Sequence, residues 1–129
     1  MKPSATEMTP STTRLLDAIA QGVVVVDASG SDRRIVHANS AFLALSGFKL
    51  PEIAGLDAFA FLGQRTDHRS SQSLREALRG SEPASIEFLL APKASGAMQV
   101  RLHVRLLADV PGHMLLTFED VTRFTQTRE

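Results

Sequence analysis

Asn39-Ser-Ala-Phe-Leu-Ala-Leu-Ser-Gly-Phe48 is the stretch on which the fold of this chain turns. Asparagine suits a helix N-cap because its side-chain oxygen accepts a bond from the free amides of the first turn. Phe42, Leu43 and Leu45 then supply an apolar face, and Gly47 supplies the left-handed residue that stops the helix. Upstream, the β-branched run Val23-Val-Val-Val26 predicts a buried strand and Arg34-Ile-Val-His-Ala38 a second one. Asp27-Ala-Ser-Gly-Ser-Asp32 between them is a turn, so the pair makes a hairpin.

Further upstream, Thr12 or Thr13 can cap a short helix in which Leu15, Leu16 and Ile19 recur at helical spacing, with Gly22 ending it. Residues 1–11 are rich in Ser, Thr, Pro and Glu and are expected to be disordered. Downstream, Pro51-Glu-Ile-Ala-Gly55 predicts a helical turn, and Leu56 to Leu62 is mostly apolar but interrupted by Asp57. Thr66 or Asp67 can cap a longer helix to Arg79, with Leu74, Ala77 and Leu78 inward and Gly80 at its end. Three strands follow. Ala84 to Leu90 is the first, with its turn at Ser95-Gly96. In the second, Met98, Val100, Leu102, Val104 and Leu106 alternate with Gln99, Arg101, His103 and Arg105, the period of a half-buried antiparallel strand. Pro111-Gly112 turns the chain into the last, His113 to Glu119.

Composition narrows the function. A chain of 129 residues with 43% hydrophobic content is one domain with a core of its own. Fourteen basic and 14 acidic residues cancel, which argues against a nucleic-acid binder with its usual basic excess. Without cysteine there is no disulfide, zinc-thiolate site or thiol nucleophile, in keeping with the cytoplasm. No apolar run reaches the roughly 18 residues of a membrane span, and the N-terminus has no apolar secretion signal. We expect a soluble cytoplasmic protein with no membrane insertion.

Two strands, a run of helices, then three antiparallel strands is an α+β pattern built on one sheet. Together with Asp120-Val-Thr122 at the end of the last strand, it resembles a PAS domain from roughly residue 12 to residue 124. That resemblance implies a five-stranded antiparallel sheet with helices on one face. It divides the chain into a disordered segment (1–11), an N-terminal flanking helix (12–22), the PAS domain (23–122) and the start of a C-terminal linker or output helix (123–129). In outline the pattern is similar to the LOV group, the flavin-binding blue-light PAS domains. Asn39 to Phe48 resembles their asparagine-x-Ala-Phe helix. Phe61-Leu62 and Thr66-Asp67 resemble parts of their chromophore segment, and Leu74-Arg75-Glu76-Ala77 the helix whose arginine holds the flavin phosphate.

The photochemical residues of that group are missing. Its cysteine falls near Ala58 or Phe59, and its two ring-contacting asparagines near Leu90 or Ala91 and near Val100 or Arg101. Its glutamine falls at Phe118. A flavin ring has a polar edge, and each unpaired buried group costs about 1–3 kcal/mol. No Tyr or Trp is present to donate an electron to an excited flavin either. We therefore expect no covalent photoadduct and no bound flavin.

Haem is not expected, because a haem-binding PAS domain places its axial histidine on the long helix and His68 sits only at its start. His37, His68, His103 and His113 show no i, i+4 pair on a helix, so no metal site is expected. Arg75 is an anion candidate, although helix arginines are commonly solvated or paired with a carboxylate such as Glu76 or Glu82. Phe42, Phe59, Phe61, Leu62, Leu74, Leu78, Leu90, Leu102 and Phe118 could line an apolar ligand pocket; in so short a chain we expect them to fill the core instead. No nucleophile, base and orienting group can be assembled, so no enzyme is expected within the chain.

The resemblance assigns signal relay to Asp120 and Thr122, and dimer contact to Leu15, Leu16 and Ile19. The expected function is that of a regulatory PAS domain. It would form a homodimer and pass a signal to a C-terminal effector in a longer protein, such as a histidine kinase or a cyclic-dinucleotide enzyme. The alternatives are a small-molecule sensor with an apolar pocket, or a complete short PAS protein.

Overall fold

The computed structural model describes residues 10–79, 83–93, 96–107 and 112–121, with residues 10–13 as backbone only. The elements run α1 (Pro10–Asp17), β1 (Gly22–Asp27), β2 (Arg34–Ala38), α2 (Ser40–Ser46), α3 (Leu50–Ile53), α4 (Ala58–Gly63), α5 (His68–Arg79), β3 (Ala84–Leu90), β4 (Met98–Leu106) and β5 (His113–Asp120). The five strands form one sheet in the order β2-β1-β5-β4-β3, every neighbour antiparallel. The architecture is thus the α+β arrangement expected of a PAS domain.

The first helix departs from its expected span. It opens at Pro10, two residues before Thr12, and ends at Asp17 rather than at Gly22. Proline suits the first helical position because its φ is already helical and its missing N–H would have had no partner there. Gly22 is not a helix stop but the first residue of β1. A Cβ there would lie 3.2 Å from Phe42 Cα, so only glycine lets α2 approach the first strand. Residues 1–9 of the expected disordered segment, Gly80, Glu82, Ser95, Pro111 and residues 122–129 lie outside the described residues.

The other caps are local and specific. Asn39 Oδ1 accepts from Phe42 N at 2.9 Å to open α2, and Gly47 closes it at φ +81°. Asp57, expected as an interruption, is the N-cap of α4 and accepts from Ala60 N at 3.0 Å. Its other oxygen takes Arg33 N at 2.7 Å, tying the helix start to the hairpin. Asp67 rather than Thr66 caps α5, accepting from Ser70 N at 2.7 Å, while the Thr66 hydroxyl is buried without a partner.

Helices α2 to α5 and the inward face of the sheet share one core, with Phe42, Ile53, Leu74, Leu102 and Leu116 fully buried. On β4 the alternation holds for Val100, Leu102 and Val104, but Leu106 is 51% exposed. Alternation fixes which way a side chain points, not what overlies it, and Leu106 is the last residue of its strand. On the outward face Glu87, Arg101 and Glu119 are direct cross-strand neighbours, with Arg101 2.8 Å from Glu87 and 3.5 Å from Glu119.

Candidate functional site

The apolar pocket candidates converge, with one exception. Phe42 and Phe118 meet at 4.9 Å between ring centroids, and Leu62, Leu74, Leu78, Leu90 and Leu102 are buried in the same cluster. Phe61 is also buried there and places its ring edge-on to Phe48 at 5.1 Å. Phe59 packs at the margin of the cluster, only half-buried, with the Arg75 guanidinium 4.6 Å above its ring. Arg75 therefore stands over an aromatic face rather than beside Glu76, and the expected carboxylate pairing with that residue is not present.

Ala58, Leu90, Val100 and Phe118, which stand at or near the positions where the LOV pattern has cysteine, asparagine and glutamine, are at most 2% exposed. All four belong to the single hydrophobic cluster.

Asn39 does more than cap a helix. Its Oδ1 also accepts from Val23 N at 2.8 Å, while Nδ2 donates to the carbonyls of Leu16 (2.8 Å) and Gln21 (2.9 Å). One fully buried amide thereby joins the flanking helix α1, its connector, the first strand and α2. Asp17, the last residue of α1, adds a second tie by accepting from Ser40 N at 3.0 Å. The sequence marks Asn39 as a cap; its other partners, Val23, Leu16, Gln21 and, at 3.4 Å, the Ile19 carbonyl, are distant in the chain, and no local pattern could have named them.

The dimer-contact candidates lie on this flanking segment. Leu15 is 69% and Ile19 42% exposed, whereas Leu16 is half-buried and offers its carbonyl to Asn39. Of the relay candidates, Asp120 ends β5 opposite Val100, and Thr122 lies outside the described residues.

Among the histidines, His68 is exposed at the start of α5, His103 is half-buried on β4 and His113 is buried on β5. No cluster of three His, Asp or Glu suited to a metal ion occurs among the described residues. His37 is half-buried on β2, and burial pushes its pKa below the ordinary 6.5, with nearby Asp17 opposing the shift. The folded state then binds fewer protons than the unfolded one. This contribution is intact above the unfolded pKa of 6.5 and is lost as pH falls below it toward the lower folded value. The melting temperature should accordingly fall as pH drops from 6.5 toward 5, and His37→Gln should flatten that dependence. An unchanged slope in the variant would exclude His37 as its source.

A clamp around Phe48 was not foreseen. Arg65 stands 4.6 Å over its ring and Lys93 5.3 Å, and Lys93 Nζ also meets Glu52 Oε2 at 2.6 Å. Lys93 N donates to Ser46 O and Ala91 N to Arg65 O, so the far end of β3 is fastened to the helical layer. These residues are scattered along the chain, and no spacing signals their meeting.

Comparison with known proteins places this geometry. The chain is 31% identical over 106 residues to a blue-light-activated histidine kinase of Rhizobium johnstonii, covering 82% of this chain and 31% of the kinase. It thus spans about a third of the length of that relative. Its fold matches a light-oxygen-voltage domain studied with a flavin analogue, at a TM-score of 0.73 and 27% identity over 94% of this chain and 92% of that one. It also matches the LOV protein of Rhodobacter sphaeroides, at a TM-score of 0.74 and 21% identity over 89% and 67% of the two chains. The sequence profile of the PAS fold covers residues 16–126, from within α1 past the end of β5. The buried Asn39 hub, the central β1–β5 pairing and the helical layer all fall within that match: the chain belongs to the PAS-fold family.

Proposed function

We propose that this chain is a regulatory PAS domain that relays a signal between its flanking helix and a C-terminal effector, as a homodimer and without a flavin photocycle. The observation that carries this reading is the buried Asn39 amide, which couples α1 directly to the centre of the sheet and to α2. A movement of α1 in a dimer changes the partners of a group that cannot be left unpaired without cost. Because β1 pairs with β5 along its whole length, the perturbation reaches the strand that ends at Asp120. A signalling protein such as a histidine kinase, as in the Rhizobium relative, is the setting we propose, with the effector downstream of the domain.

The interior supports the absence of flavin. A bound isoalloxazine ring needs buried donors and acceptors, and the residues present do not fit it. Phe118 packs on Phe42, and Leu90 and Val100 are apolar and enclosed. The absorption spectrum of freshly purified protein should lack flavin and haem bands; either set of bands would overturn this part of the proposal.

Dimerisation is proposed through α1 and its connector, where Leu15 and Ile19 present apolar side chains to solvent. Light scattering should give twice the chain mass, and the double variant Leu15→Glu, Ile19→Glu should give the monomer mass with the melting temperature little changed. A parent protein that is already monomeric at high concentration would exclude this dimer.

A further inference from the structure

A cleft of about 300 Å³ opens between the β1–β2 turn, α4 and the last turns of α5. Its walls carry three guanidinium groups, Arg33, Arg75 and Arg79, beside the apolar surface of Phe59 and Leu78. The two carboxylates of the cleft are already committed. Asp57 accepts from Arg33 N and Ala60 N, and Asp32 is paired with Arg34 at 3.2 Å. Arg75 stands over the Phe59 ring, and neither it nor Arg79 has an anionic partner among the described residues. Arg33 is held in place by bonds from Nε to Leu78 O (2.8 Å) and from Nη1 to Gly30 O (3.1 Å), so its charge is fixed at the rim.

A second opening of about 480 Å³ continues along α5, sharing Arg75 and Arg79 and lined further by His68, Gln72 and Glu76. The two openings meet at Arg75 and Arg79 on the exposed face of α5, and we treat them as one groove. Arg75 and Arg79 stand one turn apart, about 6 Å along the axis at 1.5 Å per residue. Alternate residues of an extended chain repeat at about 6.6 Å, a close match. Arginine favours paired, planar contact with carboxylates.

We propose that this groove binds an extended acidic segment of a partner protein, with carboxylates at positions i and i+2 meeting Arg75 and Arg79. Arg33 closes the end of the site toward the hairpin. Charge complementarity chooses the occupant: the groove carries three guanidinium groups and three carboxylates, but Asp32 and Asp57 are already bonded, whereas Arg75 and Arg79 have no anionic partner among the described residues, which leaves uncompensated positive charge along α5. Charge attraction of this kind contributes to encounter and register more than to tight affinity, so weak, salt-sensitive binding is expected.

The test is a titration of the isotope-labelled chain at low salt with the blocked peptide Gly-Glu-Gly-Glu-Gly, followed by amide chemical shifts. Saturable shifts are expected at residues 31–33, at Phe59 and along 75–79. Arg75→Glu and Arg79→Glu should each raise the Kd about tenfold or more. Both side chains are exposed, so the variants should melt with the parent; Arg79→Gln serves as the milder substitution if charge reversal lowers the melting temperature. Gly-Gln-Gly-Gln-Gly should leave the spectrum unchanged. The proposal is overturned if the acidic peptide gives no saturable shift, if the variants bind as the parent does, or if inorganic phosphate at the same concentration reproduces the shifts.

Discussion

Asn39→Ala is expected to cost about 3–5 kcal/mol of stability, summing a lost cap with buried amides left unpaired. The substitution strips Val23 N and Phe42 N of their shared acceptor, and the Leu16 and Gln21 carbonyls of their donor. Against a total stability of about 5–15 kcal/mol, that is a large fraction, and thermal melting should shift down by roughly 10–20 °C. Asn39→Asp separates the two halves of the group. It keeps the oxygen that Val23 and Phe42 bond but sets a carboxylate against the two carbonyls. Hydrogen exchange should then show the α1 amides and the connector losing protection while the sheet keeps most of its own. If the alanine and aspartate variants open α1 and the sheet together, the amide is a plain structural bond and not the coupling element between flanking helix and core.

The second large effect concerns Phe118. Phe118→Gln restores the residue type of the LOV pattern at a site that is 1% exposed and pressed against Phe42. It removes an aromatic pair worth about 0.5–1.5 kcal/mol beyond its buried area. It also encloses an amide within the hydrophobic cluster, directly opposite Leu102. We expect a loss of about 4 kcal/mol or more, read as a lower urea midpoint with an unchanged slope. Phe118→Leu, which keeps the apolar character, should cost about 1.5 kcal/mol. Near-equal stability of the glutamine variant would mean that the interior holds polar groups or space for them, and would reopen a polar ligand there.

Much of the fold was legible because its signals are local. The Val23–Val26 run, the alternation on β4 and the Asn39 and Gly47 caps each follow from the geometry of one element. The errors arose where a residue answers to a neighbour from elsewhere in the chain. Gly22 looks like a helix stop until Phe42 is seen 3.2 Å from where its Cβ would be. Asp57 looks like an intrusion until Ala60 N and Arg33 N are found on its two oxygens. Leu106 alternates correctly, yet at the end of its strand it stays half exposed. The candidate site was legible in the same measure: the apolar set could be named as inward-facing, but Phe59 belongs with Arg75 at the surface, and the reach of Asn39 to Leu16 and Gln21 is a product of the folded chain.

The strand order has a kinetic consequence. The centre of the sheet is the β1–β5 pair, in which Gly22 meets Phe118 and Val24 meets Leu116 across nearly the whole domain. Such distant pairings form late, because chain closure must be completed before its contacts can hold. During synthesis β1 therefore waits, with its valines unprotected, until the last strand has left the ribosome, and the hairpin it makes with β2 is too small to be stable alone. Folding of this domain is bound to its final eight-residue strand. Truncation within β5 should leave an aggregation-prone chain rather than a smaller folded one.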